Sequence, residues 1–119
     1  GSILFFSTIA VQQGFTNHSI ISSSKGAIEG LTLSLAAEFA PKIKVNCIAP
    51  SLTDSKMSQK MVSNETIRKA IENMHPIPKI GDGEDFADLS SFLLGKKNNW
   101  ITGQIFHIDG GRSTLRIKA

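Results

Sequence analysis

The sequence predicts an α/β chain, a partial three-layer fold in which helices cover a parallel sheet. Three observations carry this. Short apolar runs rich in strand formers stand at about 3–6, 44–49 and 104–108. Longer segments with apolar residues at three- and four-residue steps lie between them, at about 18–39 and 84–94. Strands that alternate with helices imply crossover connections, which make the strands parallel and place helices on the sheet faces.

Each element follows from its residues. Ile3-Leu4-Phe5-Phe6 is a continuous apolar run, the pattern of a strand buried on both faces. Residues 7–17 are polar, contain Gly14 and read as a loop. In the long helix that follows, Ile28, Leu31, Leu35 and Phe39 form an apolar stripe, and Pro41 stops it. Gly26 and Gly30 inside it weaken a helix and predict the close approach of another backbone. Lys44 to Ala49 form the second strand, ended by Pro50. Within it Asn46 stands among apolar neighbours, so its amide is expected to be hydrogen-bonded in a structural role. Cys47 is expected to be a buried structural thiol. Residues 51–58 are irregular, and 61–74 hold helix formers, with Asn64 placed to begin a turn. Pro76 and Pro78 end that region. Asp82 or Gly83 can cap a further helix with Phe86, Leu89 and Leu93 on one face and Gly95 as its stop. Trp100 is expected to pack under the last loop, with an interface as the alternative. Asp109-Gly110-Gly111 makes a turn before a basic tail.

Composition narrows the function classes. A length of 119 residues suits one domain, and 40% apolar with 19% charged residues argues against disorder. The net charge of +3 is spread along the chain without aromatic interleaving, so nucleic-acid and membrane-surface binding rank last. The single cysteine excludes a disulfide framework, no metal site is expected, and a reducing, cytoplasmic setting fits. No apolar stretch approaches the roughly 20 residues of a membrane span. The chain begins Gly1-Ser2 and enters a strand-like run at once, which leads us to expect a start inside a longer protein. A thin sheet of three strands with an apolar edge leads us to expect a further strand from a missing segment or another chain.

Several motifs coincide in order and separation. They are Ser24-Lys25-Gly26-Ala27 with Glu29-Gly30-Leu31, then Lys44-Val45-Asn46-Cys47-Ile48-Ala49-Pro50, then Trp100-Ile101-Thr102-Gly103-Gln104, then Asp109-Gly110-Gly111. Through them the chain resembles the C-terminal half of a short-chain dehydrogenase/reductase over nearly its whole length. The resemblance implies a Rossmann-like fold and hydride transfer between NAD or NADP and a small carbonyl or alcohol. It also implies a tyrosine general acid one helical turn before a lysine, and a serine on the preceding loop that polarises the carbonyl. The lysine lowers the phenol's pKa, ordinarily about 10, and holds the nicotinamide ribose.

The chain departs from that pattern at its centre. Lys25 is present, but Ile21 stands at the tyrosine position, and the chain has no tyrosine. Thr8 falls where the serine belongs, with Ser7 before it. Ser22, His18 and Asp54 are weak substitutes for the lost acid: a serine hydroxyl is a poor acid, and the other two also read as a solvent-facing histidine and a turn aspartate. Around the nicotinamide, the resemblance assigns Lys25, Pro50, Ser51 (where the family has glycine), Leu52 and Ser55. The plain alternative makes Pro50 a strand end, and Ser51 and Ser55 ordinary loop residues. No glycine-rich turn follows a strand and opens a helix. Residues 1–119 therefore read as a single partial domain with the nucleotide-binding half absent, and the chain alone is not expected to hold a dinucleotide tightly. Two functions stay open: an oxidoreductase with impaired or altered catalysis, and a non-catalytic subunit or interaction module. A homo-oligomer, dimer or tetramer, through the 19–39 helix and the last helix and strand is expected on both. Substrate specificity is expected in 56–74.

Overall fold

The computed structural model describes residues 1–56 and 58–117. Met57, within the expected specificity segment, and Lys118 of the basic tail lie outside the described residues. The elements run β1 (Ser2–Phe6), α1 (Ala10–Gln13), α2 (Ser19–Phe39), β2 (Lys44–Pro50), α3 (Gln59–Val62), α4 (Glu65–Asn73), α5 (Glu84–Leu94) and β3 (Ile105–Ile108). The three strands pair in parallel in the order β1-β2-β3, with Phe5 opposite Cys47 and Cys47 opposite Ile105. This is the layered α/β arrangement that the alternation of patterns predicts.

The central strand explains the layers. Val45 to Ala49 are all buried, and successive side chains leave a strand on opposite faces. On one face Ile48 packs with Phe86 and Leu93 of α5, flanked by Leu4, Leu89 and Phe106. Burying a side chain of this size contributes about 1.5–3 kcal/mol. On the other face the Cys47 thiol meets Ser7, Glu29 and Thr32, and burial pushes its pKa up. Asn46 clamps the return of the chain: its Nδ2 donates to the Ile101 carbonyl at 3.1 Å, and its Oδ1 accepts from the Gln104 N–H at 3.0 Å.

Several expectations are corrected. Residues 7–17 are not all loop, because Ala10–Gln13 form one helical turn closed by Gly14 at φ 67°. Four residues are too few to show a helical period. On α2 the buried side chains are Glu29, Thr32 and Ala36, not the apolar stripe. Leu31 is 42% exposed, because the sheet face takes small and polar residues and leaves larger apolar ones outside. Among the described residues, Gly26 faces a side-chain methyl of Val11 and Gly30 faces open space, so no contact within this chain accounts for either glycine. Residues of β1 are only partly buried, because the strand lies at an edge of the described sheet. Trp100 is 96% exposed and packs under nothing; the buried Asn98 amide holds that loop instead, donating to the Leu93 and Ile101 carbonyls.

The insert after β2 holds two short helices, α3 and α4. Asn64 begins the second by accepting from the Ile67 N–H at 3.1 Å, as its position predicts. Val62, Ile71 and Ile80 form a small separate core that Leu52 joins. This core fixes the insert over the segment that follows β2. Among the described residues, no helix is long and apolar enough to cross a membrane, and no group of three or more His, Cys, Asp or Glu is placed to hold a metal.

Candidate active-site cleft

Parallel strands bring their C-terminal ends to one edge of a sheet. Here β1 ends at Phe6 beside Ile48 of β2. The segments beyond are stitched together by the Ser7 N–H on the Ile48 carbonyl (2.8 Å) and the Ile9 N–H on the Pro50 carbonyl (3.1 Å). The crevice outside the carboxyl ends of such strands is the usual ligand site of an open α/β sheet. A cleft of about 780 Å³ lies there. Thr8 and Ile9 form one side, and Pro50 to Thr53 with Ser55 form the next. Phe15, Thr16 and His18 stand before α2, while Met61, Ile71 and Met74 close the insert side. Arg112 completes it.

The two neighbouring hydroxyls differ. Ser7 is buried and donates to the Glu29 carboxylate at 2.6 Å, with Gln12 donating to the other carboxylate oxygen. That proton is engaged in tying β1 to α2. Thr8 accepts from the Ala10 N–H at 3.3 Å, an N-terminal turn contact that leaves its O–H free to donate among the described residues. Thr8 lines the cleft and Ser7 does not.

Lys25 lies one turn after Ile21 on α2 and donates from Nζ to the Phe6 carbonyl at 3.2 Å. Neither residue is among those lining the cleft, and Ile21 is 39% exposed. Ser22 donates to the Ala10 carbonyl, which engages its hydroxyl in packing α1 on α2. Asp54 lies outside the lining too, its N–H bonded to the Gly81 carbonyl. His18 does line the cleft and is half-buried. Its Nδ1 lies 2.7 Å from the Thr16 carbonyl, which can only accept, so Nδ1 carries the proton and Nε2 is the atom that can exchange one. Its ring meets Phe15 edge-on at 5.5 Å.

Pro50, Ser51, Leu52 and Ser55, which the resemblance assigns to the nicotinamide, all line the cleft. Ser55 turns its N–H and hydroxyl toward Ser58. Ser51 carries more than its sequence signal suggests. Its hydroxyl lies 2.8 Å from Nε2 of the buried His75 and accepts from Arg112 at 3.4 Å. Arg112, His75 and Phe15 were not legible as site residues. The signals available, an arginine after a Gly-Gly turn and a histidine before a proline, are too common to read.

Comparison with known proteins decides the family. The family model described as enoyl-(acyl carrier protein) reductase matches residues 1–113. The chain belongs to the short-chain dehydrogenase/reductase family. A chloroplastic tropinone reductase homologue of Arabidopsis thaliana is 34% identical over 114 residues, covering 95% of this chain and 35% of that protein. L-xylulose reductase of Bos taurus is 36% identical over 112 residues, covering 93% and 46%. Among solved structures, ElxO with NADP bound superposes with a TM-score of 0.88 at 38% identity, over 97% of this chain and 47% of that one. Aldohexose dehydrogenase of Thermoplasma acidophilum, in ligand-free form, gives 0.90 at 27% identity, over 99% and 50%. The chain spans less than half the length of these curated relatives. The described residues form a partial Rossmann-like α/β unit with its strand ends open on the cleft.

Proposed function

We propose that residues 1–119 form the substrate-side half of an NAD(P)-dependent oxidoreductase that acts on a small carbonyl or alcohol. On this reading the pyrophosphate-binding turn is supplied by residues outside these 119. The observation that carries the reading is the convergence of Thr8, His18 and the Pro50–Ser55 segment on one cleft beyond the strand ends. Relatives named as reductases and a solved relative with NADP bound support it.

The residues present fit the nicotinamide end of the cofactor. Its volume is in the range of roughly 300–1,000 Å³ typical of ligand sites, and Thr8 has an O–H free to donate among the described residues. When bound, NAD(P)H supplies the hydride that reduces a carbonyl carbon. Pro50, Ser51 and Leu52 would wall the ring, and Ser55 would hold the carboxamide or a phosphate. Lys25 would leave the Phe6 carbonyl for the ribose. Thr8 donates its O–H to the substrate oxygen and stabilises the charge that develops there. Ile21 has no proton to give, so the acid must be another group. Nε2 of His18, which the Thr16 contact leaves free in the cleft, is the atom proposed to donate it. Catalysis is altered accordingly.

The test is NAD(P)H consumption by the intact protein with a panel of small carbonyls. Lys25→Ala is expected to lower kcat/KM by about tenfold to a hundredfold. Turnover that survives Lys25→Ala unchanged removes Lys25 from the site. A second reading, a non-catalytic subunit, is favoured by Ile21 and by apolar residues outside the core. Ile20 and Leu33 of α2 are 82% and 55% exposed. Both readings include a homo-oligomer through α2, α5 and β3, and a cytoplasmic setting. Cofactor binding and a stable dimer without turnover of any carbonyl would select the second.

A further inference from the structure

Arg112 stands in the cleft without a carboxylate. Its guanidinium lies over the Phe15 ring, 4.6 Å from the centroid. Its one hydrogen bond among the described residues is a long one, 3.4 Å to the Ser51 hydroxyl. Asp109, three residues earlier, is the acid closest in sequence, but the turn engages both its oxygens. Oδ1 accepts from the Gly111 N–H at 2.9 Å and Oδ2 from the Ser113 N–H at 3.1 Å. Lys79–Asp85 is the ion pair found among the described residues, and it does not involve Arg112. No Asp or Glu appears among the described residues that line the cleft.

Ser51 is turned to support this arrangement. His75 Nδ1 lies 2.8 Å from the Ile71 carbonyl, so Nδ1 carries a proton, which in the Nδ1–H tautomer leaves Nε2 as an acceptor. Ser51 therefore donates its O–H to Nε2 and keeps its lone pairs toward Arg112. The guanidinium is held on one face by Phe15 and at one edge by Ser51. It has five N–H donors, most of them unused within the described chain. Burial pulls its pKa below the ordinary arginine value, with the Asp109 charge opposing; an arginine still keeps its proton near neutrality. A partly desolvated cation with spare donors, facing a cleft that holds no negative charge, is matched by an anion.

We propose that Arg112 anchors an anionic group, carboxylate or phosphate, of the ligand that fills the cleft. This deepens the oxidoreductase reading and rests on it for one point, that the ligand is a carbonyl compound: the substrate is then a keto acid or a similar anionic carbonyl. The alternative source of the same chemistry is a phosphate of the cofactor.

The experiment is calorimetric titration of the intact protein with 4-oxopentanoate, with its methyl ester and with inorganic pyrophosphate. It compares wild type, Arg112→Leu and Arg112→Lys. Arg112→Leu is expected to weaken 4-oxopentanoate by about ten- to a hundredfold. Arg112→Lys is expected to weaken it less, since it keeps the charge but loses the fork, and the ester is expected to be unaffected. If pyrophosphate alone shows the loss, the anion site stands and its ligand is the cofactor phosphate. Equal binding of both anions by wild type and a folded Arg112→Leu overturns the proposal, as does wild-type protein that binds neither. Should Arg112→Leu fail to melt cooperatively, Arg112→Lys carries the same comparison. No arm depends on hydride transfer, so a protein that binds these anions but never oxidises NAD(P)H would refute the oxidoreductase reading and leave the anion site in place.

Discussion

Near the start of β2, Asn46 engages both ends of its amide, one on the Ile101 carbonyl and one on the Gln104 N–H. Past the other end of the same strand, Thr8 and Arg112 keep donors that nothing among the described residues accepts. One end is built to be closed and the other to receive something. The difference separates frame from site within a single sheet. Buried polar groups that are satisfied hold the fold, while polar groups left with capacity at a strand-end cleft are what a ligand can use.

The comparison can be broken from either end. The largest effect is expected at the open end. Thr8→Val keeps the shape but removes the donor, and kcat/KM for carbonyl reduction by the intact protein is expected to fall by about a hundredfold or more. Melting temperature is expected to change little. A Thr8→Val enzyme of normal rate would return the polarising role to Ser7 or to no residue. At the closed end, Asn46→Leu leaves the Gln104 N–H without its acceptor, whereas the Ile101 carbonyl keeps its bond from Asn98. One stranded, partly buried donor costs at most about 1–3 kcal/mol, read from denaturant unfolding. A neutral Asn46→Leu would mean that the clamp is dispensable.

The smallest effect is expected at Lys79–Asp85, a surface pair at 2.7 Å. Its hydrogen bond to Lys79 and then the Asp82 N–H hold the Asp85 carboxyl below the usual aspartate pKa. Asp85 raises the Lys79 pKa in return. The Asp85 contribution is therefore present at neutral pH and lost only as pH falls through that lowered value. The Lys79 contribution is lost only as pH rises through its own raised value. Between those extremes this pair is expected to leave stability flat with pH. Melting curves of Lys79→Met against wild type, recorded from acid to neutral pH, check it. A gap between the two that opens near neutrality would contradict the assignment.

Much of the frame was legible in the sequence because its signals are local. The bounds of α5 follow from Phe86, Leu89 and Leu93, with Gly83 before it and Gly95 after it. The roles of Asn46 and Cys47 follow from polar or thiol side chains set inside an apolar run. Which face of α2 is buried was not legible. The sheet takes Glu29, Thr32 and Ala36, one position from the residues that hydrophobicity selects, and only the partner surface decides that. The cleft lining includes residues the family pattern marks, Thr8, Pro50, Ser51, Leu52 and Ser55, whereas Lys25 lies outside it. The arginine that closes the cleft was not legible, since its place depends on a turn that folds residues 109–113 back toward Phe15 and Ser51, positions remote in sequence.

On the proposed reading, this cleft reduces carbonyls without the phenol that the family places one turn before Lys25. The most direct test is the steady-state rate of NAD(P)H-dependent carbonyl reduction by the intact Ile21→Tyr protein against wild type. Supplying an acid beside Lys25 is predicted to raise kcat by about tenfold to a hundredfold and to make the rate insensitive to His18→Gln. A wild-type protein that folds and binds cofactor yet reduces no carbonyl would contradict the account.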